Sequence, residues 1–136
     1  MYLIYQPEGS AEPIRWTYNP KRLMSAEREA LEKLTGRDFS DFTQAVLKGN
    51  ALCRRALLFI FLKRDHPTTK FADVDFAWDE LSLEHTRGEL QTIRDQAAEH
   101  AAPEQRDAIL AGLDKEIAKL PEDPEGSGKA ELPIVA

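Results

Sequence analysis

Ala56 to Leu62, A-L-L-F-I-F-L, is an unbroken run of seven apolar residues inside a helix-length segment that begins at Asn50, ends before Pro67 and is basic at both ends. A surface helix carries one apolar stripe about 100° wide. Seven apolar residues in a row cover the whole circumference, so the segment needs cover on two faces. At 100° per residue, Leu52, Cys53, Ala56, Leu57, Phe59 and Ile60 fall on one broad arc, with Leu58, Phe61 and Leu62 roughly opposite and Arg54 and Arg55 at the edges of that second arc. Leaving Leu58, Phe61 and Leu62 in water would forfeit roughly 5 to 9 kcal/mol, at about 1.5 to 3 kcal/mol per side chain, comparable to the net stability of a whole domain. Two readings stand. The segment is a central core helix, or it is a partner-binding helix whose narrower face another protein covers.

The flanking sequence supplies candidate neighbours. Residues 2–5 (Y-L-I-Y) and 14–18 (I-R-W-T-Y) are rich in aromatic and β-branched residues, and Q-P-E-G-S-A-E-P between them is turn chemistry, which predicts a β-hairpin. Ile14, Trp16 and Tyr18 share its apolar face, which needs something to pack on. Ser25 is placed to cap a helix over 26–34 with Ala26, Ala30, Leu31 and Leu34 on its inner side and Gly36 past its end. A second short helix follows, capped by Asp38, with Phe39, Phe42 and Val46 at helical spacing and Gly49 as its stop; Asn50 then caps the apolar helix. Residues 68–83 show no sustained period and read as a short helical turn followed by an extended segment. Residues 86–101 and 103–120 read as two helices, the second opened by Pro103 and carrying Leu110, Leu113, Ile117 and Leu120 on one side, able to form an αα-hairpin. From Pro121 the chain is rich in Pro, Gly and acidic residues and is expected to be a flexible tail.

The fold class expected is therefore mainly α (α+β), an N-terminal β-hairpin packed on a small helical bundle. A length of 136 residues suits one domain over 1–120, made of the hairpin at 1–18, a helical core at 25–66 and an acidic helical part at 86–120. Charge is uneven. Residues 1–70 hold 12 Lys and Arg against 8 Asp and Glu, a net of +4; residues 71–136 hold 6 against 16, a net of -10, which together give the formal -6. The apolar run is too short to cross a bilayer, which takes about 20 residues, and the first residues, M-Y-L-I-Y-Q-P-E-G, show no secretion-signal pattern. Cys53, the one cysteine, is expected to be a buried, inert thiol.

Little in the sequence points to catalysis or to a cofactor. His66, His85 and His100 stand 19 and 15 positions apart, which matches no local metal-ligand spacing. Asp73, Asp75, Asp79 and Glu84 fall at positions 1, 3, 7 and 12 of a calcium-loop register, but Ala77 and Trp78 occupy the places of an oxygen ligand and the required glycine. Nucleophile-elbow and phosphate-loop patterns are lacking too, so no enzyme, metal or cofactor is expected. Two helices around Lys48-Gly49-Asn50, with Arg54, Arg55, Lys63 and Arg64 on the second, mimic a helix-turn-helix. A recognition helix must show polar side chains to base edges. This one would show Leu58, Phe61 and Leu62, so nucleic-acid binding is the alternative rather than the leading reading.

The stretch from Gly36 to Phe76 resembles the tail assembly chaperones of long-tailed (siphovirus-type) bacteriophages. The likeness lies in a charged helix ending in Thr35-Gly36, an aromatic short helix, an apolar helix ending in Lys63-Arg64 before Pro67, and the phrase F-x-D-V-D-F at Phe71 to Phe76. It extends over roughly residues 15–85. The resemblance implies a mainly helical protein of the host cytoplasm, absent from the mature virion, that binds the tape measure protein in multiple copies, self-associates, and recruits tail tube protein. It further implies that a longer form can arise by ribosomal frameshifting near the end of the reading frame. A chaperone for apolar helices needs an apolar surface with charge around it. Leu58, Phe61 and Leu62, with Phe39 and Phe42, are the expected partner-binding surface and Arg54 and Arg55 its rim. A structural head or tail completion protein is a further alternative.

Overall fold

A computed structural model describes residues 1–120. The tail expected over 121–136 lies outside the described residues. In order, the chain forms β1 (Tyr2–Tyr5), β2 (Ile14–Thr17), α1 (Ser25–Thr35), α2 (Phe39–Lys48), α3 (Ala51–Asp65), β3 (Leu81–Glu84), α4 (Arg87–His100) and α5 (Pro103–Lys119). Single 3-10 turns stand at Pro20–Arg22, Phe71–Asp73 and Trp78–Glu80. The architecture is mainly helical with one small antiparallel sheet. The chain divides into two compact units, Met1–Glu84 and a second beginning at His85.

Local chemistry sets the ends of most helices in the first unit. Asn50 caps α3, its side chain accepting a hydrogen bond from the Cys53 N–H at 2.9 Å. Gly36 and Gly49 close α1 and α2 at φ of 69° and 90°, a left-handed conformation that costs glycine little. Two caps differ from expectation. Met24, not Ser25, is the cap residue of α1, where Glu27 reaches back to accept from the Met24 N–H at 3.1 Å. Asp38 precedes α2 but makes no capping bond; the carboxylate of Glu32 accepts from the Phe39 N–H instead, at 2.9 Å, and so ties α1 to α2.

The predicted hairpin is two strands of a three-stranded sheet, ordered β2-β1-β3 and antiparallel throughout. Leu3 stands opposite Trp16 on one side and Leu83 on the other, so one face of the sheet is apolar across all three strands. That face lies on α3: Trp16 stacks on Phe61 at 5.6 Å between centroids, and Tyr18 meets the same ring edge-on at 6.4 Å. Ile14, at the far end of β2, remains exposed. The extended stretch read before Glu84 contains β3.

α3 is enclosed from Ala56 to Phe61. Cys53, Ala56, Leu57, Leu58, Phe59, Ile60 and Phe61 are all buried, while Leu62 is half-buried and Leu52 is exposed. α1 and α2 both pack against it, contributing Leu31, Phe39, Phe42, Ala45 and Val46 to the same core. Ala26, expected on the inner side of α1, is exposed; Leu31 is fully buried, and Ala30 and Leu34 pack beside it. The second unit is the predicted αα-hairpin of α4 and α5. Thr86 and Glu89 cap α4 reciprocally, at 2.7 and 3.2 Å. Pro103 opens α5, and Arg94 pairs with Asp114 between the helices. Ile117 is buried in this unit, whereas Ile93 and Ile109 stay exposed.

Tyr18 is only 2% exposed, and its hydroxyl has no hydrogen-bond partner. Burial, with a smaller contribution from the neighbouring Cys53, pushes its phenol up to about 12. The fold therefore favours the neutral phenol. Its contribution is complete below the ordinary value of 10.0 and is lost as pH rises toward 12. Tyr18→Phe is expected to remove that alkaline sensitivity in urea unfolding and to raise the neutral-pH midpoint, since an unpaired buried hydroxyl costs about 1 to 3 kcal/mol. Leu58→Ala, at a fully buried site, is expected to cost about 2 to 5 kcal/mol in the same measurement. Leu52→Ala, on the exposed side of the same helix, is expected to cost less than about 1 kcal/mol.

Candidate partner-binding surface

The enclosure of α3 settles where most of the expected surface residues stand. Leu58, Phe61, Phe39 and Phe42 are core residues, exposed by 8% or less, and the face proposed for a partner is covered by this chain's own strands and helices. Phe39 and Phe42 stack on each other at 5.7 Å. Leu62 alone of the five apolar candidates keeps partial exposure, and it too packs against the core. The physical reason is that β1 and β2 supply the second layer, with Trp16 and Tyr18 seated on Phe61. A binding surface on the narrow face of α3 is thereby ruled out for the folded unit.

Arg54 and Arg55 are not a free rim. Both reach inward from α3 to hold neighbouring backbone. Arg55 donates through Nε to the Val74 carbonyl and through Nη2 to the Phe71 carbonyl at 2.8 Å, with its guanidinium 4.0 Å over the Phe71 ring. Arg54 donates through Nε to the Val46 carbonyl at 2.9 Å and lies 5.2 Å over the indole of Trp78. The strap 66–80, which carries the chain from α3 to β3, is thus fastened along α3. Phe71 meets Phe59 edge-on at 5.6 Å, and Val74 is buried. Glu80 fastens its far end, its carboxylate accepting from the Ala77 and Glu8 N–H groups.

With the core closed, the surface of the first unit still exposes Met24, Leu47, Leu52 and Trp78, by 68%, 51%, 42% and 50%. Trp78 is the one whose position is fixed. It stacks on Phe76 at 6.2 Å and 23° between planes, lies under Arg54, and brings its ring edge to Gly49, where a Cβ would stand 3.7 Å away. The α2–α3 turn, which carries Leu47 and Leu52 on either side, therefore adjoins a half-exposed indole. Sequence reasoning weighs Asp73 to Glu84 as a calcium-loop register, which Ala77 and Trp78 break. It misses that Trp78 is itself half in solvent, because the strap has no periodicity from which a facing direction could be read.

Among the described residues no group of three or more His, Cys, Asp or Glu side chains is close enough to hold a metal ion. Asp73, Asp75 and Asp79 lie along the strap. Cys53 is free and buried, and burial pushes its thiol up. No described helix is long and apolar enough to cross a membrane. No protein-family model, curated protein or solved structure matches the chain.

One ion pair joins the ends of the helical layer. Arg64 grips Glu27 with two hydrogen bonds, at 2.8 and 2.7 Å, while its guanidinium lies 4.7 Å over Phe61. The bond from Arg64 holds the Glu27 carboxyl below its ordinary range against the opposing effect of burial, and the Met24 N–H adds to it. A carboxyl depressed in the fold adds stability that is complete above its ordinary value of 4.5 and is lost as pH falls through the lower folded value. Glu27→Gln is therefore expected to flatten the acid limb of a stability–pH profile below about 4.5. Unchanged acid sensitivity in urea titrations of this variant would show that other carboxylates set that limb.

Proposed function

We propose that this chain is a non-enzymatic assembly factor that binds an apolar segment of another protein, and more specifically a tail assembly chaperone of a long-tailed phage. In that role it keeps the tape measure protein soluble in the host cytoplasm and recruits tail tube subunits. The observation that carries protein binding is the set of large apolar side chains, Leu47, Leu52 and Trp78, left half-exposed on a unit whose core is already closed. Exposed aromatic and leucine side chains beside charge are what a partner-binding surface requires. The choice of partner rests on the resemblance over Gly36 to Phe76, the stretch that forms α2, α3 and the greater part of the strap. The residues used are then those at the α2–α3 turn and the strap, replacing Leu58, Phe61, Phe39 and Phe42.

Co-expression with a tape measure protein from the same source tests the reading. The tape measure protein is expected to stay soluble and co-purify with this chain, and to fall into the pellet with a Leu47→Asp, Leu52→Asp double variant that keeps the wild-type unfolding midpoint. A tape measure protein equally insoluble with and without the wild-type chain would end the chaperone reading.

A further inference from the structure

We propose that the Trp78 platform receives a basic amphipathic helix of the partner. The proposal rests on the reading of the chain as a protein-binding factor and adds the chemistry of what is bound. Trp78 has the properties of an interface anchor. It is large, half-exposed, and held by Phe76, Arg54 and Gly49, so little side-chain entropy is left to lose on binding. The platform supplies the apolar contact, and its surroundings select the sign of the partner.

From Phe71 to Thr86 the chain carries Asp73, Asp75, Asp79, Glu80 and Glu84 and no Lys or Arg. Two of these carboxylates have structural work: Glu80 caps the turn before β3, and Asp75 accepts from the Phe76 N–H at 2.9 Å. Asp73, Asp75 and Asp79 are exposed, and none of the ion pairs found among the described residues uses them. Elsewhere in the first unit Glu27, Glu29 and Glu32 are taken up by Arg64, Lys33 and the Phe39 N–H. Arg54, which lies over the indole, is occupied with the Val46 carbonyl, and Lys48 is exposed in the adjoining turn. Negative charge outside any ion pair, at Asp79 next to the anchor and at Asp75 next to the Phe76 that stacks on it, complements a helix with an apolar stripe and Lys or Arg beside it.

The test uses the full chain and two fluorescein-labelled peptides of 18 residues, one of leucine and lysine at helical spacing and one of leucine and glutamate in the same pattern. Anisotropy at low salt is expected to show saturable binding of the lysine peptide and none of the glutamate peptide. Trp78→Ala is expected to abolish that binding. A triple variant, Asp73→Asn, Asp75→Asn and Asp79→Asn, leaves the platform and is expected to weaken it about tenfold and flatten its salt dependence. In a Trp16→Phe background, in which Trp78 is the one remaining tryptophan, its emission is expected to shift to the blue as the lysine peptide saturates. Equal binding of the glutamate peptide would overturn the charge assignment and leave the protein-binding reading standing. Lysine-peptide binding unchanged by Trp78→Ala or by the triple variant, both checked for folding by circular dichroism, would overturn the platform. Concentration-dependent self-association lost with Trp78→Ala would assign the platform to a second copy instead and would also overturn the proposal.

Discussion

Covering α3 on all sides is the constraint that the rest of the first unit satisfies. A helix with buried residues at every position from Ala56 to Phe61 needs more than one packing layer, because a single neighbour covers only one arc. Three structures share the work. α1 and α2 take one part of the circumference, the sheet lays Trp16 and Tyr18 against Phe61, and the strap brings Phe71 to Phe59. Each cover is small, and each would be marginal alone. A three-stranded sheet of four-residue strands holds only because its apolar face has a helix to rest on.

The basic residues at both ends of α3 solve a second problem, which is how an all-round apolar helix leaves the core without exposing rings. Arg54 lies over Trp78, Arg55 over Phe71, Lys63 over Phe59 and Arg64 over Phe61. Each long side chain covers an aromatic face while its charge stays near water or on a carbonyl. At exposed sites such contacts contribute about 0.5 to 1 kcal/mol each. Arg54 and Arg55 add bonds to the carbonyls of Val46, Phe71 and Val74. The same cations therefore fix the course of the strap, and through it the position of Trp78.

Features decided within a few residues were legible in the sequence. The cap at Asn50, the left-handed ends at Gly36 and Gly49, the Pro103 start of α5 and the strands at 2–5 and 14–17 all follow from local backbone chemistry. Features decided by distant neighbours were not. The periodicity of α3 divides it into two arcs, but it puts the exposed Leu52 on the core arc, and nothing local says that β2 will cover Phe61. That gap turned Leu58 and Phe61 into candidates for a partner when they are core. Arg54 and Arg55 read as a rim for the same reason, since the carbonyls they bond lie on other elements, Val46 in α2 for Arg54 and Phe71 and Val74 in the strap for Arg55. β3 is only four residues, L-S-L-E, and its pairing with the start of the chain leaves no local trace. Of the apolar side chains that reach solvent, Trp78 lies in the strap, where no helical period shows which way it faces.

The strand order carries a consequence for how the molecule comes into being. β1 is the central strand, yet its two neighbours come from opposite ends of the unit, Ile14–Thr17 and Leu81–Glu84. A chain made from its N-terminus can form the β1–β2 ribbon early, but one edge of β1 stays bare until Glu84 has left the ribosome. Throughout that interval Leu3 lacks its Leu83 neighbour, and until Asp65 has been made the ribbon has no complete α3 to rest on. Closing so long a loop is a slow, entropically costly step, and an unpaired apolar edge is the element most prone to pair with another chain. The first unit thus spends most of its synthesis with an apolar edge that only its own last strand can cover.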